Sequence, residues 1–130
     1  MAIKWTNDLS VEQHELDSHH QHMMDLINEL NEALNSKEEK DIVAEVLVEL
    51  SDYANYHFGA EEAMFELKHY PDAAEHIEQH MEFRERLKEL DDLFQAGDDT
   101  AGTQLMDFLR RWWPNHIATF DKKYVPYLKE

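Results

Sequence analysis

The chain has 130 residues, of which 42% are hydrophobic, with only 3 Gly, 3 Pro and no Cys. This composition predicts one mostly helical domain and excludes disulfide, thiolate and iron–sulfur chemistry. Its 29 acidic against 12 basic residues give a formal charge of −17, which disfavours binding to nucleic acid or an anionic membrane because like charges repel.

The start of the chain has no apolar run of signal-peptide length, and no stretch reaches the length of a membrane span. We therefore expect a cytoplasmic location. Residues 1–17 lack a sustained hydrophobic period and predict an N-terminal arm. The first helix is predicted to begin near Ser18, which has capping-box spacing with Gln21, and its apolar face then recurs every three or four residues.

Three further helices follow, each after a local break. Ser36 and Glu39 form a second capping box, and a helix is predicted over residues 37–67. Pro71 restarts the chain, because a first helical turn tolerates a residue without an N–H. The segment Gly97–Gly102 is the last break before the fourth helix.

These elements predict an all-α domain over residues 1–130. Four amphipathic helices with short connections favour an up-down-up-down antiparallel four-helix bundle over residues 18–118. A short C-terminal segment, residues 119–130, follows the bundle.

Six ionisable residues continue the apolar stripes of the four helices, where a buried polar group is costly unless it is paired or coordinated. In an up-down bundle, the start of helix one, the end of helix two, the start of helix three and the end of helix four meet at one end. The six residues come from those four segments, and the i,i+4 pairs among them face the same way. They are His20, His57, Glu61, His76, His80 and His116.

Asp121 is a seventh candidate, although it follows His116 by five residues rather than four. A regular helix would turn it off the stripe, so we predict that the helix ends or widens there, and Pro114 fits such a distortion. Seven ligands are too many for one metal ion but suit two ions that share carboxylates. Glu61 and Asp121 are the natural bridges, since imidazole cannot bridge without losing its proton.

The remaining histidines are predicted to be ordinary surface or outer-shell residues, because they fall off the stripe or outside the helices. They are His14, His19, His22 and His69.

The segments that carry the seven candidate ligands resemble the hemerythrin family, specifically a single-domain bacteriohemerythrin. The resemblance covers essentially the whole chain. Each segment alone is a weak indication of the family. All seven ligand positions, in order and at the right spacing, are a very specific indication. The matching segments are Leu16–His20, His57–Glu62, His76–His80 and His116–Asp121, with Trp5, Ile27–Asn28, Tyr70–Pro71 and Tyr124.

The resemblance implies two iron ions bridged by Glu61, Asp121 and an oxo or hydroxo group. One iron takes three histidines and is six-coordinate, whereas the other takes two and keeps one position open. Dioxygen, the implied small-molecule partner, binds end-on at the open position as a hydroperoxide and is released reversibly. The three histidines are His76, His80 and His116, and the two are His20 and His57.

A dry apolar pocket beside the open iron would exclude protons and reductants. Its candidates are Met23, Phe58, Trp112, Trp113 and Ile117. Two positions depart from the family pattern. Trp113 replaces a smaller aliphatic residue, commonly Leu, and would narrow the oxygen site if it faces the open iron. Glu12 stands where Gly is frequent.

Three functions remain open from the sequence. The first is an oxygen carrier, store or sensor, which would act with an oxygen-consuming or signalling partner protein in some of these roles. The second is a di-iron oxidase, peroxidase or nitric-oxide-handling enzyme, which would need a substrate channel and proton donors beside the open iron. The third is a metal-free or zinc-bound structural bundle.

Overall fold

Four long helices make up most of the chain, and short connections join them. The computed structural model describes residues 4–36, 40–98 and 100–128, and no strand occurs within those ranges. A short 3₁₀ turn, Asn7–Leu9, precedes the helices. The helices are α1 (His14–Asn35), α2 (Lys40–Lys68), α3 (Ala73–Gln95), α4 (Ala101–His116) and α5 (Lys122–Leu128).

The prediction that α1 starts near Ser18 is wrong, since the helix begins four residues earlier at His14. Gln13 is the N-cap, and its side-chain oxygen accepts a 2.7 Å hydrogen bond from the Leu16 N–H. Ser18 lies inside the helix, where Ser and Gln at capping-box spacing have no end to cap. The last part of the predicted arm is therefore helical. Glu12, directly before the cap, has a left-handed φ of 58°, a backbone conformation that favours glycine.

Helix α2 ends at Lys68, one residue beyond the predicted end, and its predicted start at residue 37 lies outside the described residues. Helix α3 begins two residues after Pro71, and α4 begins one residue before Gly102. Glu39, half of the second predicted capping box, lies outside the described residues. Helix α1 packs against α2 and α4, and α3 packs against the same two neighbours, so the four helices enclose one interior. Within the described ranges, none of the helices combines the length and apolarity needed to cross a bilayer.

The apolar interior is divided into two clusters with a polar layer between them. On α1, Met23 belongs to the main cluster and Leu16 to the smaller one, and on α2 the same division separates Phe58 from Phe65. On α1, His20 lies between these two residues in the chain, whereas on α2 Glu61 lies between them and His57 directly precedes Phe58. The ligand layer is therefore closed by packed apolar side chains on both sides.

After α4 the helix widens into a π-helical turn, Ile117–Asp121, and then continues as α5. This confirms the prediction made from the five-residue spacing. A π turn takes more residues than an α turn, so Asp121 returns to the face that His116 occupies. Asp121 is completely buried, and the described part of the predicted C-terminal segment is helical.

Candidate metal centre

All seven predicted residues are buried in the layer between the two apolar clusters. Their exposed fractions run from 0% to 3%. Burial this complete is unusual for histidines and carboxylates, which are mostly exposed unless they are paired or bound to a metal. The set comprises His20 on α1, His57 and Glu61 on α2, His76 and His80 on α3, His116 on α4 and Asp121 on the π turn.

The seven side chains form two overlapping groups, and in each group the candidate ligand atoms lie within 4.8 Å of one another. Glu61 belongs to both groups. The first group, here called the three-histidine group, consists of Glu61, His76, His80 and His116. The second, the two-histidine group, consists of His20, His57, Glu61 and Asp121.

The two oxygens of Asp121 face histidines of different groups. Oδ1 lies 2.9 Å from Nε2 of His76 and 3.0 Å from Nε2 of His116. Oδ2 lies 3.0 Å from Nε2 of His20. This carboxylate therefore stands between the groups, with one oxygen toward each.

Glu61 also contacts both groups, but through a single oxygen. Oε1 lies 3.1 Å from Nε2 of His80 and 3.3 Å from Nε2 of His57. Its second oxygen, Oε2, accepts a 2.7 Å hydrogen bond from the hydroxyl of Tyr124. The tyrosine thus holds the glutamate from the side away from the histidines.

Many inward-facing polar atoms of the centre have no hydrogen-bond partner within the described chain. They include Nε2 of His20, His57 and His80, Oε1 of Glu61 and both oxygens of Asp121. Nε2 of His76 and Nε2 of His116 face each other at 3.1 Å. Unsatisfied buried polar groups cost free energy. Imidazole nitrogens and carboxylate oxygens that converge in this way fit divalent metal ions, which would satisfy all of them together.

When no cation is present, the electrostatics favour neutral imidazoles at His57 and His80 and a protonated side chain at Glu61. Burial, and then the charge of Asp121, raises the pKa of Glu61 to about 8. Burial, and then the neighbouring His20, lowers the pKa of His57 well below its usual value, and burial lowers that of His80. Neutral imidazole is the form that coordinates a metal, so these histidines need lose no proton on binding.

Asp121 behaves in the opposite way. Burial is the largest single influence and would raise its pKa, but the charge of His116 and the contacts with His116, His20 and His76 together hold that pKa well below its usual value. Without a cation, the centre therefore contains one ionised carboxylate, Asp121, and one protonated carboxyl group, Glu61.

Two residues outside the predicted set contact the outward nitrogens of candidate ligands. Glu62 Oε2 lies 2.9 Å from Nδ1 of His80, and Nδ1 of His19 lies 3.0 Å from Nδ1 of His57. The sequence predicts that His19 lies either on the surface or behind a ligand. It is buried and lies behind His57. The other three histidines of that group, His14, His22 and His69, are exposed.

The predicted pocket residues lie on different sides of the centre. The ring of Trp113 lies 5.7 Å from that of His57 and 6.1 Å from that of His20, centroid to centroid, whereas Trp112 stacks on His116 at 4.3 Å. Phe58 stacks on His80 at 4.0 Å. The remaining two candidates, Met23 and Ile117, are fully buried in the main apolar cluster.

Comparison with known proteins agrees with this geometry. Residues 11–128 match the family described as Hemerythrin HHE cation binding domain. A bacteriohemerythrin of Pseudomonas aeruginosa is 38% identical over 123 residues, which cover 95% of this chain and 79% of that protein. A bacteriohemerythrin of Stenotrophomonas maltophilia is 34% identical, over 98% of this chain and 82% of that protein.

Solved structures show the same relationship. A wild-type hemerythrin crystal structure superposes with a TM-score of 0.91 at 27% identity, and the match covers 100% of both chains. A variant of hemerythrin with one leucine replaced by alanine gives the same TM-score. The chain belongs to the hemerythrin family, whose members bind non-haem iron.

Proposed function

We propose that this protein binds dioxygen reversibly at a centre of two iron ions. One observation carries the proposal: two histidine groups of unequal size share Glu61 and face opposite oxygens of Asp121. Two carboxylates between two histidine sets are the arrangement that a pair of bridged ions requires. Family membership supports iron as the metal, because imidazole and carboxylate ligands alone also suit zinc.

The ligand assignment follows the two groups. We assign His76, His80 and His116 to one ion and His20 and His57 to the other, with Glu61 and Asp121 as bridges. The second ion then has one protein ligand fewer than the first. That missing ligand supports an open coordination position at the two-histidine group, where dioxygen would bind.

The contacts between distant helix ends support an up-down-up-down antiparallel order. His20, early in α1, contacts Asp121 in the π turn that follows α4. Glu61, late in α2, contacts His80, early in α3. Successive helices that run in opposite directions bring all four of these positions to one level of the bundle.

When bound, the iron ions would supply the electrons needed for dioxygen binding. The chain's own residues hold and shield that chemistry. Glu61 gives up its proton when a cation arrives, and the Tyr124 hydroxyl keeps its carboxylate in place. Phe58, Trp113 and Ile117, each at most 1% exposed, keep bulk water from the centre, which favours release of dioxygen over its reduction.

The experiment that tests the proposal is an optical titration of ferrous-reconstituted, anaerobic protein, with iron content measured on the same sample. We expect two irons per chain and a visible absorption band that appears with dioxygen and disappears when dioxygen is removed. A band that never forms would contradict the proposal. Consumption of added reductant with turnover would instead indicate the oxidase or peroxidase alternative.

A further inference from the structure

We infer that Glu62 and His19 give the two halves of the centre different electron-donor strengths, so that the iron of the three-histidine group is the first to be oxidised. The inference rests on the proposed function. It concerns the outward nitrogens of His80 and His57, which point away from the candidate metal positions. An outer hydrogen bond to a ligating histidine fixes its tautomer and changes its basicity.

His80 has an anionic outer partner. Its Nε2 faces inward, 3.1 Å from Oε1 of Glu61, so with a metal bound its proton resides on Nδ1. That N–H donates to Oε2 of Glu62 at 2.9 Å. Arg84 Nη2 lies 3.6 Å from the same glutamate oxygen and helps to hold it. A carboxylate acceptor draws the proton toward itself and makes His80 a stronger donor to a metal ion.

His57 has a neutral outer partner instead. Its Nε2 also faces inward, 3.3 Å from Oε1 of Glu61, so its Nδ1–H donates to Nδ1 of His19 at 3.0 Å. An imidazole that accepts through Nδ1 must be the neutral tautomer with its proton on Nε2, because a protonated ring has no free lone pair. A neutral acceptor polarises the N–H less than a carboxylate does, so His57 remains the weaker donor.

No other ligand histidine changes this comparison. The outward nitrogens of His20, His76 and His116 have no hydrogen-bond partner within the described chain. An anionic outer partner is thus present at the three-histidine group and absent from the described surroundings of the two-histidine group. A stronger donor stabilises the ferric state. The iron with the open position therefore keeps its electron longer, which favours reversible binding over permanent oxidation.

The test is a potentiometric titration of the iron-loaded full chain with ferricyanide, which removes one electron per iron. Glu62→Gln keeps an acceptor but loses its charge. We expect it to raise the potential of the first oxidation by about 59 mV, which corresponds to a tenfold change for one electron. The matched control is Glu66→Gln, which removes the same charge from an exposed position one turn along α2 and should leave the potential unchanged.

The reverse change is made at the other half. His19→Glu supplies a carboxylate to His57 and should lower the potential of the iron in the two-histidine group and speed autoxidation. His22→Glu is the control, because it adds the same charge at an exposed position on α1. Because a buried glutamate can disturb folding, His19→Gln is measured as well. It retains a neutral acceptor, so its potential should equal that of the wild type.

Mössbauer spectra at half oxidation identify the iron that is oxidised first. Equal shifts in Glu62→Gln and Glu66→Gln, or no shift in either, would overturn the inference while leaving the proposed function intact, provided that both variants hold two irons and bind dioxygen reversibly. Wild-type protein that does not take up two irons would instead overturn the proposed function, and this inference with it. Iron content, measured first, separates the two failures.

Discussion

The hydroxyl of Tyr124 donates a 2.7 Å hydrogen bond to Oε2 of Glu61, which joins the last helix to the carboxylate common to both histidine groups. Both partners are completely buried. Burial, and then the charge of Glu61, raises the pKa of Tyr124 well above its usual value, so the phenol remains a donor at any physiological pH.

Replacement of this donor tests its role in holding the bridge. Tyr124→Phe should retain the fold and the iron but bind iron about tenfold more weakly, because Glu61 loses the contact that orients it. Competition with a chelator measures the change. Tyr127→Phe, at a half-buried tyrosine on the same helix, is the matched control and should bind iron like the wild type. Equal affinity in both variants would mean that Tyr124 serves packing alone.

The assignment of Glu61 as a bridge predicts a large loss from its removal. Glu61→Ala takes away the side chain that belongs to both groups, so we expect loss of the two-iron centre as measured by iron content and by the oxygen-dependent band. His22→Ala, at an exposed histidine two residues from His20, should change neither measurement. Similar losses in both variants would refute the proposed ligand set.

The helical period and the cost of burying charge are enough to bring the seven candidate residues together from the sequence. Six of them lie on otherwise apolar stripes. The extra residue between His116 and Asp121 predicts that the helix ends or widens there, and the structure contains a π turn at that position. These features depend on spacing within one helix, which the sequence states directly.

The features that the sequence does not predict depend on contacts between helices or on weak local preferences. Glu62 is off the stripe of α2, and its contact with His80 arises only because α3 packs beside it. Its position directly after Glu61 is the one signal of this contact that the sequence carries. The start of α1 is missed for another reason, since Gln13 is not among the residues preferred as N-caps, whereas Ser18 is.

Trp113 is the residue most suited to control access to the two-histidine group. It is 1% exposed, lies against His20 and His57, and its indole N–H has no hydrogen-bond partner in the described chain. Trp113→Leu should speed azide binding to the ferric protein and dioxygen release from the oxygenated protein, because the smaller side chain widens the space beside the two-histidine group. The change should cost about 1–3 kcal/mol of stability through the cavity it leaves.

Two further variants separate bulk from polarity at this position. Trp113→Phe keeps an aromatic ring but removes the unpaired N–H, so it should lose less stability than Trp113→Leu. Trp112→Leu changes the neighbouring tryptophan, which stacks on His116 of the three-histidine group, and should leave azide association unchanged. If Trp112→Leu instead speeds azide association as much as Trp113→Leu does, azide does not reach the iron specifically through the side of the two-histidine group.

The protonation of Glu61 predicts how the stability of the metal-free protein depends on pH. Its folded-state pKa of about 8 lies above the ordinary value of 4.5, so its contribution to stability is complete below that ordinary value and is lost as pH rises through 8. His20 acts in the same direction. Burial alone would lower its pKa, but the 3.0 Å contact with Asp121 and the charge of that carboxylate outweigh burial and raise it.

We therefore expect the free energy of unfolding of the chelator-treated protein to fall by about 1 kcal/mol per pH unit between pH 7 and 8, as measured by urea titration. Glu61→Gln cannot ionise, so it should remove most of this slope and make the metal-free protein more stable at pH 8. Glu66→Gln, at an exposed carboxylate, should retain the slope. A slope that persists in Glu61→Gln would mean that another group releases the proton. It would contradict the proposal that Glu61 is protonated in the metal-free protein and loses its proton when a cation binds.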